Sequence, residues 1–193
     1  FAYSISGEYN AIEHFPTLRG ILPLTFGGGW LLAGGVEKPL TPTTPQLKDQ
    51  TSFGASNVRP VRVANEIIYI QRGGRRVRAL GYRFDTDSYN AADLSVFAEH
   101  ITEGGIVQMA YSQEPDPMLW LVRDDGVLVG CAIDRDQEVI GFCRLVTDGW
   151  VESVAVIPNG DVDQVWLLVK RIVDGATVRY VETLEDGLQT DSC

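Results

Sequence analysis

Four dipeptides punctuate the C-terminal half of the chain: Asp125-Gly126, Asp148-Gly149, Asn159-Gly160 and Asp174-Gly175. A two-residue hairpin loop needs positive φ at its central positions, which glycine and short polar side chains accept at least cost. Between these turns lie "VLVGCAI", "QEVIGFCRLV", "WVESVAVI", "QVWLLVKRIV" and "TVRYVETL", each long enough for one strand. With "GGIVQMAYSQ" and "MLWLVR" ahead of them, seven strands succeed one another through short connections. Connections that short join antiparallel neighbours only. Residues 102–193 are therefore expected to form an antiparallel β-meander.

These strands are apolar on more than one face. In "QVWLLVKR", Val165, Leu167 and Val169 share one face while Trp166 and Leu168 occupy the other. An antiparallel sheet of that kind must be covered on both sides. Stacked propeller blades of about four strands achieve this, so the fold class expected is mainly β, with propeller-like blades. Upstream, residues 1–89 read as a β-rich segment. "GILPLTFGGGWLLAGG" turns at Gly27 to Gly29, and "VRVANEIIYIQRGGRRVRALGYRF" gives three strands turning at Ala64-Asn65 and Gly73-Gly74. Residues 37–60, with Pro39, Pro42, Pro45 and Pro60, read as an extended connector. "NAADLSVFAEHI", Asn90 to Ile101, carries Leu94, Phe97 and Ile101 at helical spacing behind a capping Asn90, and is expected to be the one helix. There is no run of eighteen apolar residues, so no membrane-spanning helix is expected.

Charge is unevenly spread. The formal net charge is −10, yet seven of the 16 basic residues fall between Arg59 and Arg83, beside a single acid, Glu66. A general DNA binder is expected to be net basic, because neutralising phosphates supplies most non-specific affinity. The acidic remainder argues against DNA wrapping. In the basic stretch, Arg76 and Arg78 alternate with Val77 and Ala79, giving a strand with one largely basic face. That face is expected to meet an acidic face of the same or a neighbouring subunit, with Arg75, Arg76, Arg78 and Arg83 as the candidate interface residues.

Catalysis has no positive signature. The two histidines, His14 and His100, form no metal-ligand motif, and "FGGGW" leads into a strand, so it is turn glycine and no phosphate cradle. "DTDSYN" alternates oxygen ligands as a calcium loop begins, but lacks the glycine and glutamate such a loop requires. Acidic pairs such as Asp134 and Asp136 leave a glycan-degrading enzyme open as an alternative. Another is a propeller module binding protein through Trp120, Trp150 or Trp166, although all three read first as core residues. Neither a cofactor nor a metal is expected. Cys131, Cys143 and Cys193 show no pairing motif, and the first two lie in apolar runs that suit buried, reduced thiols.

The order of motifs carries a resemblance. "RPV-x-V-x-N" with "QRGGRRVRALGY", then "DLS-x-F-A-E-H-I", then "Q-E-P-x-P-M-L-W-x-V-R-x-D-G" and "D-R-D-Q-E-V-x-G-F" resemble the nozzle family of short-tailed bacteriophages, also called tail tubular protein B or tail hub. The likeness runs from about Ile21 to Leu184, and with Phe1 at the start the chain is expected to be a piece of a longer protein. The resemblance implies a structural virion protein with a propeller-like domain and no catalytic residues. It implies a homo-oligomer, a hexameric ring under the portal and adaptor. The ring carries other tail proteins and forms the conduit through which phage DNA passes without sequence-specific binding. Localisation in the virion tail, after assembly in the host cytoplasm, follows from the same likeness. An acidic lumen would suit that role, since basic residues along a conduit would brake the moving duplex.

Overall fold

The computed structural model describes residues 10–34, 39–135 and 137–185. Its strands are β1 (Ile12–His14), β2 (Leu24–Thr25), β3 (Gly29–Ala33), β4 (Gln46–Thr51), β5 (Val61–Val63), β6 (Glu66–Ile70), β7 (Val77–Arg83) and β8 (Ser88–Asp93). After the short helix α1 (Glu99–Thr102) come β9 (Ile106–Ser112), β10 (Met118–Arg123), β11 (Leu128–Asp134), β12 (Val139–Leu145), β13 (Trp150–Asn159), β14 (Val162–Val173) and β15 (Ala176–Leu184). They make four antiparallel sheets, β1–β4, β5–β8, β9–β12 and β13–β15, each with its strands in chain order. The mainly β fold with one short helix is thus as the sequence indicates; three of the sheets have the four strands in sequential order that a propeller blade has, while β13–β15 has three. The chain divides into two compact units, Phe1–Glu103 and Gly104–Cys193.

In the first unit, Ile67 and Tyr69 of β6 join Leu22, Leu24, Leu80, Tyr89 and Ala91 in one buried cluster. The alternate residues Ile68 and Ile70 pair with Ala79 and Val77 of β7, and these too are buried. A β-branched run such as "EIIYI" suits this strand, which excludes water on both faces. The Tyr69 hydroxyl donates to Phe53 O at 2.9 Å. Burial pushes its pKa up to about 12 against the opposing charge of Arg78 and a hydrogen bond with Thr51.

Two expectations are corrected in this unit. The connector contains a strand, β4, whose Lys48 and Leu47 stand opposite Leu31 and Leu32 of β3. Its prolines end at Pro45 and resume at Pro60, leaving Gln46–Thr51 free to donate to a neighbour. Its exposed, polar side chains befit a strand at the sheet edge. The helix is much shorter than residues 90–101: Asn90, Ala91, Ala92 and Asp93 lie in β8, opposite Gly81, Leu80, Ala79 and Arg78. Tyr89 and Ala91 are buried around an exposed Asn90, which is strand alternation, while Phe97 is 96% exposed instead of packing beside Leu94. Pairing with β7 outweighed a local helical pattern.

In the second unit all seven expected strands are present, β9 to β15. Val165, Leu167 and Val169 of β14 share one face and pack with Val122, Leu128, Val151 and Val154. A register shift between Val151 and Ser153 marks a bulge in β13. There the Gln108 amide bonds the Val154 backbone both ways, its Nε2 donating to Val154 O at 2.9 Å and its Oε1 accepting from Val154 N at 3.2 Å. Cys131 is buried, which pushes its thiol up to about 12. Cys143 is exposed, contrary to expectation, on β12, an edge strand whose residues are mostly exposed. Cys193 and Asp136 lie outside the described residues.

The tryptophans divide. Trp120 is half-buried against the second unit's core, and its Nε1 donates to Ser112 Oγ at 2.9 Å. Trp166 is half-buried on the face of β14 opposite Val165 and Leu167. Trp150 is 41% exposed and sits over the Asp125-Gly126 turn, with Lys170 Nζ 4.8 Å from its ring centroid. A Cβ at Gly126, whose φ is +77°, would lie 2.4 Å from the indole. Gly160 also has positive φ, +69°, but open space around it. Gly126→Ala is therefore expected to cost about 2–4 kcal/mol and Gly160→Ala only about 1 kcal/mol, read from urea unfolding midpoints. Equal costs would mean that the indole yields freely.

Candidate interaction surface

The basic stretch folds as the β6–β7 hairpin. Its turn is closed by Gln71 N donating to Arg76 O at 2.9 Å and by Gly74 N donating to Gln71 O at 2.8 Å. Gly74 takes φ +74°, and a side chain added at Gly73 or Gly74 would meet nothing within 4 Å. The tip is therefore slim and open. Arg72 and Arg75 flank it, both exposed. The Arg72 guanidinium lies 5.5 Å from the Phe26 ring centroid, whereas Arg75 has no ion-pair or hydrogen-bond partner among the described residues.

The next two arginines are used inside the chain. Arg76 Nη1 reaches Asp93 Oδ2 at 2.7 Å and its Nη2 reaches Glu99 Oε1 at 2.6 Å. Asp93 Oδ1 also accepts from Ser95 N at 2.9 Å and Ser95 Oγ at 2.8 Å, while Ser95 Oγ accepts from Val77 N at 3.1 Å. Arg78 is only 8% exposed. Its Nε donates to Gln71 Oε1 at 2.7 Å, its Nη1 donates to Ala91 O at 2.8 Å, and its guanidinium stacks 3.5 Å from the Phe53 ring centroid. Arg83 is exposed at the far end of β7, beside Phe84, which is 87% exposed.

The four arginines expected to form one interface thus fall into two pairs. Arg76 and Arg78 meet acids, an amide and an aromatic ring of their own chain, and Arg78 is too buried to face a partner. Arg75 and Arg83 remain available, with Arg72 beside them. The sequence offered a signal for this division in the strand alternation of "SYNAAD", which sets Asp93 directly opposite Arg78. Reading that segment as helix concealed it. His14, by contrast, is a packing residue, its Nε2 3.1 Å from Ser56 O. His100 lies in the last turn of α1. In "DTDSYN", Asp87 Oδ1 accepts from the Tyr82 hydroxyl at 2.5 Å and β8 begins at the next residue. Among the described residues no group of three or more His, Cys, Asp or Glu is placed to hold a metal ion.

Asp93 is the electrostatic centre of the hairpin. Burial pushes its carboxyl up, but the hydrogen bonds from Arg76 and Ser95, with the charge of Arg78, outweigh that and hold it below its ordinary value. A depressed folded value contributes stability that is complete above the unfolded carboxyl value of about 4 and is lost as pH falls through the folded one. Unfolding midpoints are thus expected to drop on acidification below about pH 4, and Asp93→Asn is expected to flatten that limb. Arg78→Ala should cost about 3 kcal/mol, since it leaves Gln71 and the Ala91 carbonyl unpaired, whereas Arg75→Ala should lie within about 0.5 kcal/mol of the parent in the same denaturation measurement. No protein-family model matches the chain, and no curated protein matches it significantly.

Proposed function

We propose that this chain is a structural subunit of the tail nozzle of a short-tailed phage, acting through the geometry of a homo-oligomeric ring and not through turnover. The ordered motifs from Ile21 to Leu184 support that reading. The observation that carries it furthest is the exposed arginine tip on a chain of net charge −10, an unmatched basic element on a predominantly acidic subunit. Surfaces of opposite sign set the register and partner choice of an assembly more than they set its affinity. The sheets, meanders of three and four strands, supply rigid walls for such a ring. In this reading the ring is hexameric, binds the portal, adaptor and other tail proteins, and belongs to the virion. Phage DNA passes through it along acidic walls, because an acidic surface does not retain phosphates.

Electron microscopy of the full-length protein with its portal complex is the direct test, and a ring coaxial with the portal is the expected image. A protein that stays monomeric at high concentration with its tail partners present would sink the proposal. Retention of duplex DNA at about 0.15 M salt would count against a passive conduit.

A further inference from the structure

The second unit contains a concave site of about 420 Å3, walled by the 113–117 turn, the start of β14 and the end of β15. Its floor is apolar, formed by Met118, Trp120, Val165 and Leu184. Glu114, Asp116, Asp163 and Glu185 stand round it. The walls are tied in place. Asp163 Oδ2 accepts from Gln113 N at 2.6 Å and from Glu114 N at 3.2 Å, and Asp163 N donates to Glu114 O at 3.0 Å. Trp120 is anchored through Ser112 Oγ, which in turn donates to Met118 O at 3.3 Å.

Not all the carboxylates are engaged. Asp163 is occupied by the two backbone amides, and Glu185 Oε1 accepts from Thr183 Oγ1 at 3.2 Å. The side chains of Glu114 and Asp116 are exposed and have no hydrogen-bond or ion-pair partner among the described residues. The negative field extends to Tyr111, whose pKa is raised first by burial and then by Asp163 and Glu114. An apolar floor with an aromatic ring, under a rim of free carboxylates, suits a long side chain with an aliphatic stem and a cationic head. The stem covers the floor and the head pairs with the rim, which favours arginine.

The same chain carries the complementary shape. The Gly73-Gly74 tip is bare of side chains, and Arg75 projects from it without a partner. We propose that this cavity receives the Arg75 tip of a second copy of the chain, making a head-to-tail contact between subunits. The inference rests on the oligomeric reading above and names the contact that builds it. Knob and cavity are different surfaces, so the contact is heterologous and repeats from copy to copy, closing into a ring or running on as a filament.

Sedimentation velocity of the full chain over a range of concentrations tests this, with Arg75→Glu, with Glu114→Arg plus Asp116→Arg, and with all three changes together. Near-UV circular dichroism checks each fold, and Arg75 stands clear of the core. The parent is expected to associate, and to do so less at about 0.5 M salt than at about 0.05 M. Each charge reversal should weaken association by about tenfold or more, and the triple variant, with its charges exchanged, should regain most of it. Association unchanged by Arg75→Glu would overturn this contact while leaving the oligomeric reading intact. Loss in Arg75→Glu without recovery in the triple variant would overturn the cavity as its receptor. Absence of association at every concentration would overturn the contact and the oligomeric reading together.

Discussion

The pairing of β7 with β8 decides what the basic stretch can do. It brings Asp93 opposite Arg78 and within 2.7 Å of Arg76. A guanidinium as buried as Arg78 is costly unless its donors are satisfied. Here Gln71 and the Ala91 carbonyl accept from it, Phe53 covers its face, and Asp93 lies 4.0 Å away. Ala91 and Asp93 both belong to β8, so the strand that completes the sheet also completes the coordination of the arginine. The Ser95 hydroxyl then links Asp93 to the first backbone amide of β7. Sheet register and charge neutralisation are therefore one constraint. Loosening either exposes the other.

That coupling explains which parts of the fold could be read from the residues. The seven strands of the second unit were legible because Asp-Gly and Asn-Gly act locally. Asp125-Gly126, Asn159-Gly160 and Asp174-Gly175 close hairpins with positive φ at the glycine. Asp148-Gly149, expected to do the same, instead lies where the chain passes from β12 to β13 of another sheet. The strand β8 was not, because Leu94, Phe97 and Ile101 keep helical spacing and nothing within the segment announces a partner strand. Its structure is set by pairing with β7, five to fifteen residues away, whose amides would otherwise go unpaired. The short strand β4 was hidden for a related reason, since its pattern is polar apart from Leu47 and shows no alternation that announces its pairing with β3. β9 and β12 both have one sheet neighbour, yet β9 packs against β13 and holds buried residues while β12, with Cys143, is mostly exposed, and local hydropathy carries no record of that difference.

The candidate surface shows the same limit. Four arginines in the nine residues 75–83 look equivalent by composition, but the structure separates them by depth, with Arg78 buried, Arg76 half-buried and Arg75 and Arg83 exposed. The acidic cavity was further from view. Its walls come from segments near 114, 163 and 184, and no single stretch shows a concentration of acid that would mark it. The hydrogen bonds between Asp163 and the 113–114 backbone, with the β14–β15 pairing of Val165 and Leu184, draw these segments together.

Under the proposed conduit role, charge placement also bears on the passage of DNA. A cation acts on phosphate only where it reaches solvent, so Arg78 is withdrawn from any such role and Arg76 is already neutralised by two carboxylates. What remains exposed is Arg72 and Arg75 at the turn and Arg83 at the far end of β7. If the tip of each copy enters the cavity of the next, Arg75 and the free carboxylates of Glu114 and Asp116 cancel within the contact. The assembled surface then loses a cation that would have held phosphate, and keeps most of the acid spread over the rest of the chain. A subunit whose basic residues are concentrated in one stretch could thus use an exposed one for assembly and present the duplex with a repulsive wall. In the proposed nozzle, the exposed arginines and the acidic surplus would serve one end, the first by joining subunits and the second by leaving the conduit non-adhesive.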